Sequence, residues 1–232
     1  MFQNHKVVVT MTSWKKRIGN CASVVRTVLD NTFKPDIVFL NLSEEEFPKR
    51  ERELPYELVQ MSKDEPTFKI NWVPGPNTKT MKKVFPILPL LDDDDIILDI
   101  DDDLLLPSDF VEVRLNEFHE HGSMFPISGG NNPKWHINLP LYGSKYNTLA
   151  PASLFQKKML KGYERILTDY VIETYNDDTI YTMLCIVNGY WPIPTEKLST
   201  FYGKGPRKIG LYNDVCGLGK ARGWKSQDAL AV

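Results

Sequence analysis

An α/β fold, with a mainly parallel central sheet flanked by helices, is what this sequence of 232 residues predicts. Three observations carry that expectation. Short β-branched or apolar runs alternate with segments of helical spacing through the first half of the chain. The composition, 42% hydrophobic with 11% aromatic residues, is enough to bury a sizeable core. Finally, acidic residues crowd residues 92–107 around one short apolar run, where a buried strand would emerge at the edge of a sheet.

Taken in order, residues 6–12 form a β-branched run and the first strand, and residues 21–31 have helical spacing with Val24, Val25, Val28 and Leu29 on one side. Pro35 punctuates, residues 36–42 make a second strand, and residues 48–61 hold a mixed loop and a short helix. A third strand spans residues 68–73, and residues 80–91 read as a helix broken by Pro86 and Pro89. Ile96, Ile97, Leu98 and Ile100 form the fourth strand. The alternation implies parallel strands, and ligands of such sheets sit beyond the carboxyl ends of the strands. The second half is less regular. A helix is expected over residues 109–120, irregular loops over 122–146, and helices from residue 154 or 156 to 168 and over 178–187. Residues 192–232 are basic and glycine-bearing, suited to a lid or an ordered tail.

The acids divide into two groups. Asp92 to Asp95 lie between Leu91 and the apolar run and read as a solvated loop, the usual meaning of a charge run. Asp101, Asp102 and Asp103 are framed by apolar residues on both sides, which a solvated loop would not require. Carboxylates crowded at a strand end repel unless something positive joins them. Hard cations such as Mg²⁺ and Mn²⁺ favour such oxygen ligands, and an Asp-x-Asp pair supplies them while leaving room for phosphate oxygens.

A net charge of −2 gives no bulk attraction to nucleic acid or anionic membrane. Cys21, Cys185 and Cys216 are too far apart in sequence for a Cys-x-x-Cys metal pair and odd in number, so they read as packing residues. No apolar run approaches the length of a membrane span and no secretory signal is evident, so a soluble cytoplasmic protein without an integral membrane segment is expected.

Four segments in succession, Val7-Val-Val-Thr-Met-Thr-Ser-Trp-Lys-Lys-Arg17, Pro35-Asp-Ile-Val-Phe-Leu-Asn-Leu-Ser43, Lys79-Thr-Met-Lys-Lys83 and Leu98-Asp-Ile-Asp-Asp-Asp103, resemble the nucleotide-sugar-binding half of a GT-A glycosyltransferase. Residues 176–190, with an acidic pair opening a helix that ends at Gly189-Tyr190, resemble the Glu-Asp helix of family 2 type enzymes. The resemblance implies a Rossmann-like GT-A fold in a single catalytic domain over residues 1–232. Residues 1–107 would bind the nucleotide sugar, and residues 108–232 would form the acceptor-side half and C-terminal tail. It also implies a metal-dependent transfer of a hexose-type sugar from a nucleotide diphosphate, UDP first, to a glycan or other hydroxyl acceptor.

Carried over by position, the resemblance places Thr10, Thr12 and Arg17 at the base and diphosphate, with Asn41 at the same base. Lys79, Lys82 and Lys83 would approach the ribose or phosphates. Adjacent helical residues diverge by about 100°, so Lys82 and Lys83 would not both reach one phosphate. Asp101 and Asp102 would face the donor, and Asp103 with Asp101 would hold Mn²⁺ or Mg²⁺. Asp178 would deprotonate the acceptor in an inverting reaction, with Asp177 as the fallback. Asn176, Asp177 or Asp178 could equally cap the helix and complement its dipole.

Several residues have a simpler reading beside the functional one. His136 reads as a loop residue, and no histidine follows it to serve as a late metal ligand. Residues 143–155 are placed on the acceptor side by position, and Trp191, Tyr202 and Trp224 suit either core packing or stacking on a sugar face. A nucleotidyltransferase is the alternative enzyme, although the segment Thr12-Ser-Trp-Lys-Lys-Arg17 lacks the glycines of a phosphate loop. A non-catalytic divalent-cation or sugar-binding module is the alternative from outside enzymology, although the acidic segment lacks the spacing and glycine of an EF-hand.

Overall fold

The computed structural model describes residues 2, 4–128, 149 and 152–194, together with the backbone of residues 136–139, 144–147 and 210–211. A seven-stranded sheet organises them. Strands β1 (Val7–Thr12), β2 (Ile37–Ser43), β3 (Phe68–Val73) and β4 (Ile96–Asp99) are all parallel, and β1 lies between β2 and β4. Val7, Val8 and Val9 are consecutive and fully buried, so both faces of β1 are covered, as a parallel sheet requires. The first helix, α1 (Cys21–Leu29), buries Val24, Val25, Val28 and Leu29, the apolar side that its spacing predicts. Helix α2 (Tyr56–Asp64) connects β2 to β3 along the chain and packs against α1 and β3.

Beyond β4 the sheet changes character. A two-residue strand, β5 (Leu104–Leu105), precedes helix α3 (Phe110–Glu120), and β6 (Ile127–Ser128) follows it. Strands β7 (His136–Leu139) and β8 (Ser144–Asn147) pair with each other. Strand β9 (Leu154–Gln156) lies antiparallel to β4, with Leu98 opposite Leu154. Helices α4 (Asp169–Thr174) and α5 (Asp177–Val187) come next, then β10 (Ile193–Pro194) beside β6 and β11 (Gly210–Leu211) beside β5.

Four departures from the sequence reading have physical causes. Residues expected to form a helix broken by proline are two 3₁₀ segments, Lys79–Lys83 and Phe85–Leu90. Pro86 and Pro89 have no N–H to donate and their rings crowd the preceding turn, so a continuous α-helix over these residues is not formed. The helix expected from residue 154 begins instead as β9, because three fully or nearly buried residues complete the open edge of β4; two 3₁₀ segments follow, separated by Gly162 at φ 86°. The stretch over 122–146 contains strands as well as loops. Lastly, the acidic loop at residues 92–95 is only partly solvated. Asp95 is buried, and its carboxylate accepts hydrogen bonds from the backbone N–H of Lys6 and of Asp92, each at 2.9 Å. It closes the turn that feeds β4 beside β1.

Helix α3 is fastened from inside. Arg114 is fully buried, 2.6 Å from the Glu117 carboxylate, and it donates to the carbonyls of Ile127 at 3.0 Å and Ser128 at 3.2 Å. The guanidinium therefore ties the helix to β6 at the far side of the sheet. Among the described residues no helix is long and apolar enough to cross a membrane.

Candidate active site

In the parallel part of the sheet the order β3-β2-β1-β4 reverses direction between β1 and β4, which makes the crevice beyond their carboxyl ends a topological switch point. A cleft of about 520 Å³ opens there. Thr12, Ser13, Trp14 and Arg17 line it after β1, Lys79, Lys82 and Lys83 from the first 3₁₀ segment, Asp101 and Asp102 after β4, and Asn176, Asp177 and Asp178 at the start of α5. Segments separated by more than 150 residues in sequence thus share one wall.

Lys83 is the centre of the charge arrangement. Its ammonium lies 2.8 Å from Asp101 Oδ1, 2.8 Å from Asp177 Oδ2 and 3.6 Å from Asp99 Oδ2, and its side chain is almost wholly buried. Burial alone would favour the neutral amine, but Asp101, Asp177 and Asp99 outweigh it and push the Lys83 pKa well above the ordinary range. Lys83 therefore keeps its positive charge.

A buried polar chain fixes its backbone. The Lys83 carbonyl accepts from Thr10 Oγ1 at 2.5 Å and from Asn41 Nδ2 at 2.9 Å, and Asn41 Oδ1 in turn accepts from Asn71 Nδ2 at 2.7 Å. Thr10 and Asn41 are fully buried. Both stand behind the cleft wall and position Lys83, whereas Thr12 lines the cleft and donates its hydroxyl to the Asn41 carbonyl at 2.8 Å. Lys79 sits at the mouth, ion-paired to Glu173 of α4, and Lys82 Nζ donates to the Lys79 carbonyl at 2.9 Å.

The three aspartates after β4 go different ways. Asp101 faces the cleft and Lys83. Asp102 pairs with Arg17 and accepts from Ser13 Oγ at 2.6 Å. Asp103 is buried, 2.6 Å from Arg17 Nη2, and burial with its acidic neighbours raises its pKa to about 6. Arg17 thereby neutralises two of the acids, and neither Asp103 nor Thr10 nor Asn41 contributes to the cleft lining.

Asp99 is the site residue that the sequence reading passed over. It closes β4 with no exposed surface, and both carboxylate oxygens are buried without a hydrogen-bond partner. One ligand oxygen from each of Asp99, Asp177 and Asp178 lies within 4.8 Å of the others. Burial raises the Asp99 pKa to about 7, with Lys83 opposing and Asp177 adding to the shift. A signal was present: a charged residue between Leu98 and Ile100, inside a strand otherwise buried, must have a partner to offset its desolvation. Orphaned carboxylate oxygens beside a cluster of acids fit a hard divalent cation, which takes oxygen ligands.

The raised Asp99 pKa has a sign that can be measured. Between the ordinary carboxylate value of about 3.9 and about 7, the folded protein holds a proton that the unfolded chain has lost. Stability of the metal-free protein therefore falls as pH rises through that window. Asp99→Asn removes the ionisation, so urea midpoints at pH 5 and pH 8 should lie closer together in the variant than in the wild type. Equal pH dependence in both proteins would show that Asp99 does not titrate there.

At the helix start, Asn176 Oδ1 accepts from the Thr179 N–H at 3.0 Å and is the cap of α5. Asp178 is left with one buried oxygen unpartnered, and burial followed by repulsion from Asp177 raises its pKa well above the ordinary carboxylate range. At the other end Gly189, at φ 86°, terminates the helix, with the Tyr190 N–H reaching back to the Cys185 carbonyl at 2.8 Å.

Sheet order and the switch-point cleft together make this a GT-A-like fold, and solved structures agree. S. aureus TarS, residues 1–349, superposes with a TM-score of 0.59 at 14% identity over 83% of this chain and 58% of its own. The mannosyltransferase PcManGT from Pyrobaculum calidifontis, solved in complex with GDP-Man and Mn²⁺, gives a TM-score of 0.58 at 13% identity over 83% of this chain and 55% of its own. The chain thus spans little more than half the length of either. Francisella tularensis IspD, a 2-C-methyl-D-erythritol 4-phosphate cytidylyltransferase, gives a TM-score of 0.54 at 12% identity, covering 94% of this chain and 100% of its own. No protein-family model matches the chain, and no curated protein sequence matches it.

Proposed function

We propose that this chain is a glycosyltransferase that moves a sugar from a nucleotide diphosphate, UDP first, to a hydroxyl acceptor, with inversion. The observation that carries the reading is the cleft at the switch point, where Lys83, Asp101, Asp177 and Asp178 converge around the buried Asp99, whose oxygens have no hydrogen-bond partner. Residues 1–107 hold the donor and residues 108–232 face the acceptor, within one catalytic domain. TarS has also been solved in complex with UDP, which supports UDP as the first donor to try.

Each residue has a task that its geometry suits. Arg17, Lys79, Lys82 and Lys83 line the cleft where a diphosphate would leave, so negative charge developing there has cations close by. Asp101, at the cleft face, and Asp99 behind it would hold Mn²⁺ or Mg²⁺, while Asp103 is committed to Arg17. Such an ion, when bound, supplies Lewis-acid stabilisation of the departing phosphates. Asp178 takes the acceptor proton, and its raised pKa suits a general base better than an ordinary carboxylate would. The direct test is calorimetric titration of UDP, UDP-GlcNAc and GDP-Man with and without Mn²⁺. UDP binding that ignores both Mn²⁺ and Asp101→Asn would sink the assignment of the acidic cluster.

A nucleotidyltransferase is the second reading, favoured by the end-to-end match with the cytidylyltransferase. Against it, Ser13-Trp-Lys-Lys-Arg17 after β1 contains no glycine to let backbone approach a triphosphate. Pyrophosphate release from UTP or CTP with a sugar phosphate would select this reading over the first.

A further inference from the structure

The cleft already contains a cation. Lys83 Nζ touches carboxylate oxygens of Asp101 and Asp177 at 2.8 Å and stands 3.6 Å from Asp99. Those are the oxygens that a divalent ion entering this acidic pocket would need. We infer that Lys83 is a resident counter-ion that excludes free divalent metal from the pocket until a nucleotide diphosphate draws its ammonium away. The inference rests on the reading of the cleft as a nucleotide-diphosphate site.

The geometry separates a fixed part of Lys83 from a movable one. Thr10 and Asn41 clamp its carbonyl from behind the wall, and Asn71 donates to Asn41 in turn, so the backbone stays in place. The side chain forms part of the cleft wall, and its staggered torsions allow the ammonium to turn from the acids toward a ligand in the cleft. While it stays, a divalent ion meets carboxylates already neutralised and a positive charge at close range. A diphosphate offers the ammonium equivalent oxygens a short swing away, and the vacated carboxylates then have a reason to take the metal. Asp99, whose buried oxygens lack a hydrogen bond while Lys83 leans toward Asp101 and Asp177, is the acid left short of charge compensation. Metal and nucleotide would consequently bind with positive coupling, each raising the affinity of the other by the same factor.

Removing the ammonium should make the pocket a better metal site, opposite to what a supporting role for Lys83 would give. The experiment measures Mn²⁺ binding by the electron-paramagnetic-resonance signal of free Mn²⁺, in nucleotide-free protein, for wild type, Lys83→Met and Lys83→Gln. Far-ultraviolet circular dichroism first establishes which variants fold, and Lys83→Gln, which keeps a polar head, serves if Lys83→Met does not. The expected result is at least a tenfold gain in Mn²⁺ affinity over wild type in a folded variant. In wild type, saturating UDP should produce a gain of similar size, and in the variant UDP should add less. Equal or weaker Mn²⁺ binding in the variants overturns the inference, as does wild-type Mn²⁺ affinity indifferent to UDP when UDP itself binds. Absence of UDP and GDP binding under every metal condition would instead refute the proposed function, and the nucleotide-free comparison would still report on the lysine.

Discussion

Asp178→Asn is expected to lower the rate of sugar transfer by roughly a hundred- to ten-thousand-fold, the usual share of a positioned general base, and to leave UDP affinity unchanged. The amide keeps the size and polarity of the side chain but cannot accept the acceptor proton. Helix capping would not explain such a loss, because Asn176 already fills the cap position of α5. Asp177 makes the informative comparison: its carboxylate is 2.8 Å from Lys83, so Asp177→Asn should disturb donor binding more than proton transfer. The pH profile gives an independent check. A base must be unprotonated to act, and burial with the Asp177 charge raises the Asp178 pKa, so wild-type activity should climb with pH through a range above that of an ordinary carboxylate. Single-turnover rates measured across pH decide it. Wild-type rates from Asp178→Asn would remove the residue from the mechanism.

Arg114→Met should destabilise the protein by about 3–5 kcal/mol, the typical cost of removing one partner from a buried ion pair. Arg114 and Glu117 have essentially no solvent access, so losing the guanidinium strips Glu117 of its 2.6 Å charge partner without water to replace it. The carbonyls of Ile127 and Ser128 lose a donor at the same time. A double variant, Arg114→Met with Glu117→Leu, should recover much of the loss, because two apolar side chains leave no buried charge. Urea unfolding of the three proteins is the measurement. A single variant as stable as wild type would mean that the buried pair contributes nothing to holding α3 on β6.

Much of the fold was legible because its signals are local. The run at residues 68–73 predicts β3 to the residue, and Val24, Val25, Val28 and Leu29 are the buried side of α1. Where a segment's role depended on what lay beside it, local pattern misled. Leu154, Phe155, Met159 and Leu160 have a spacing compatible with a helix, yet the open edge of β4 drew residues 154–156 into a strand. Periodicity cannot separate the two for a short apolar run.

In the site, the sequence by itself determined the chemical inventory: acids after the fourth strand, lysines near residue 83, and an acidic pair opening the helix at residue 177. It also determined that the strand tails would gather them, since parallel strands end on one rim. Only the tertiary structure decided which charge meets which. It gave Asp103 to Arg17, set Thr10 and Asn41 behind the wall as the clamp on Lys83, and left the buried Asp99 oxygens without a hydrogen bond. The reason is that charge and burial act through space over a few ångströms, between residues that sequence separates by as many as 94 positions, as Lys83 and Asp177 are.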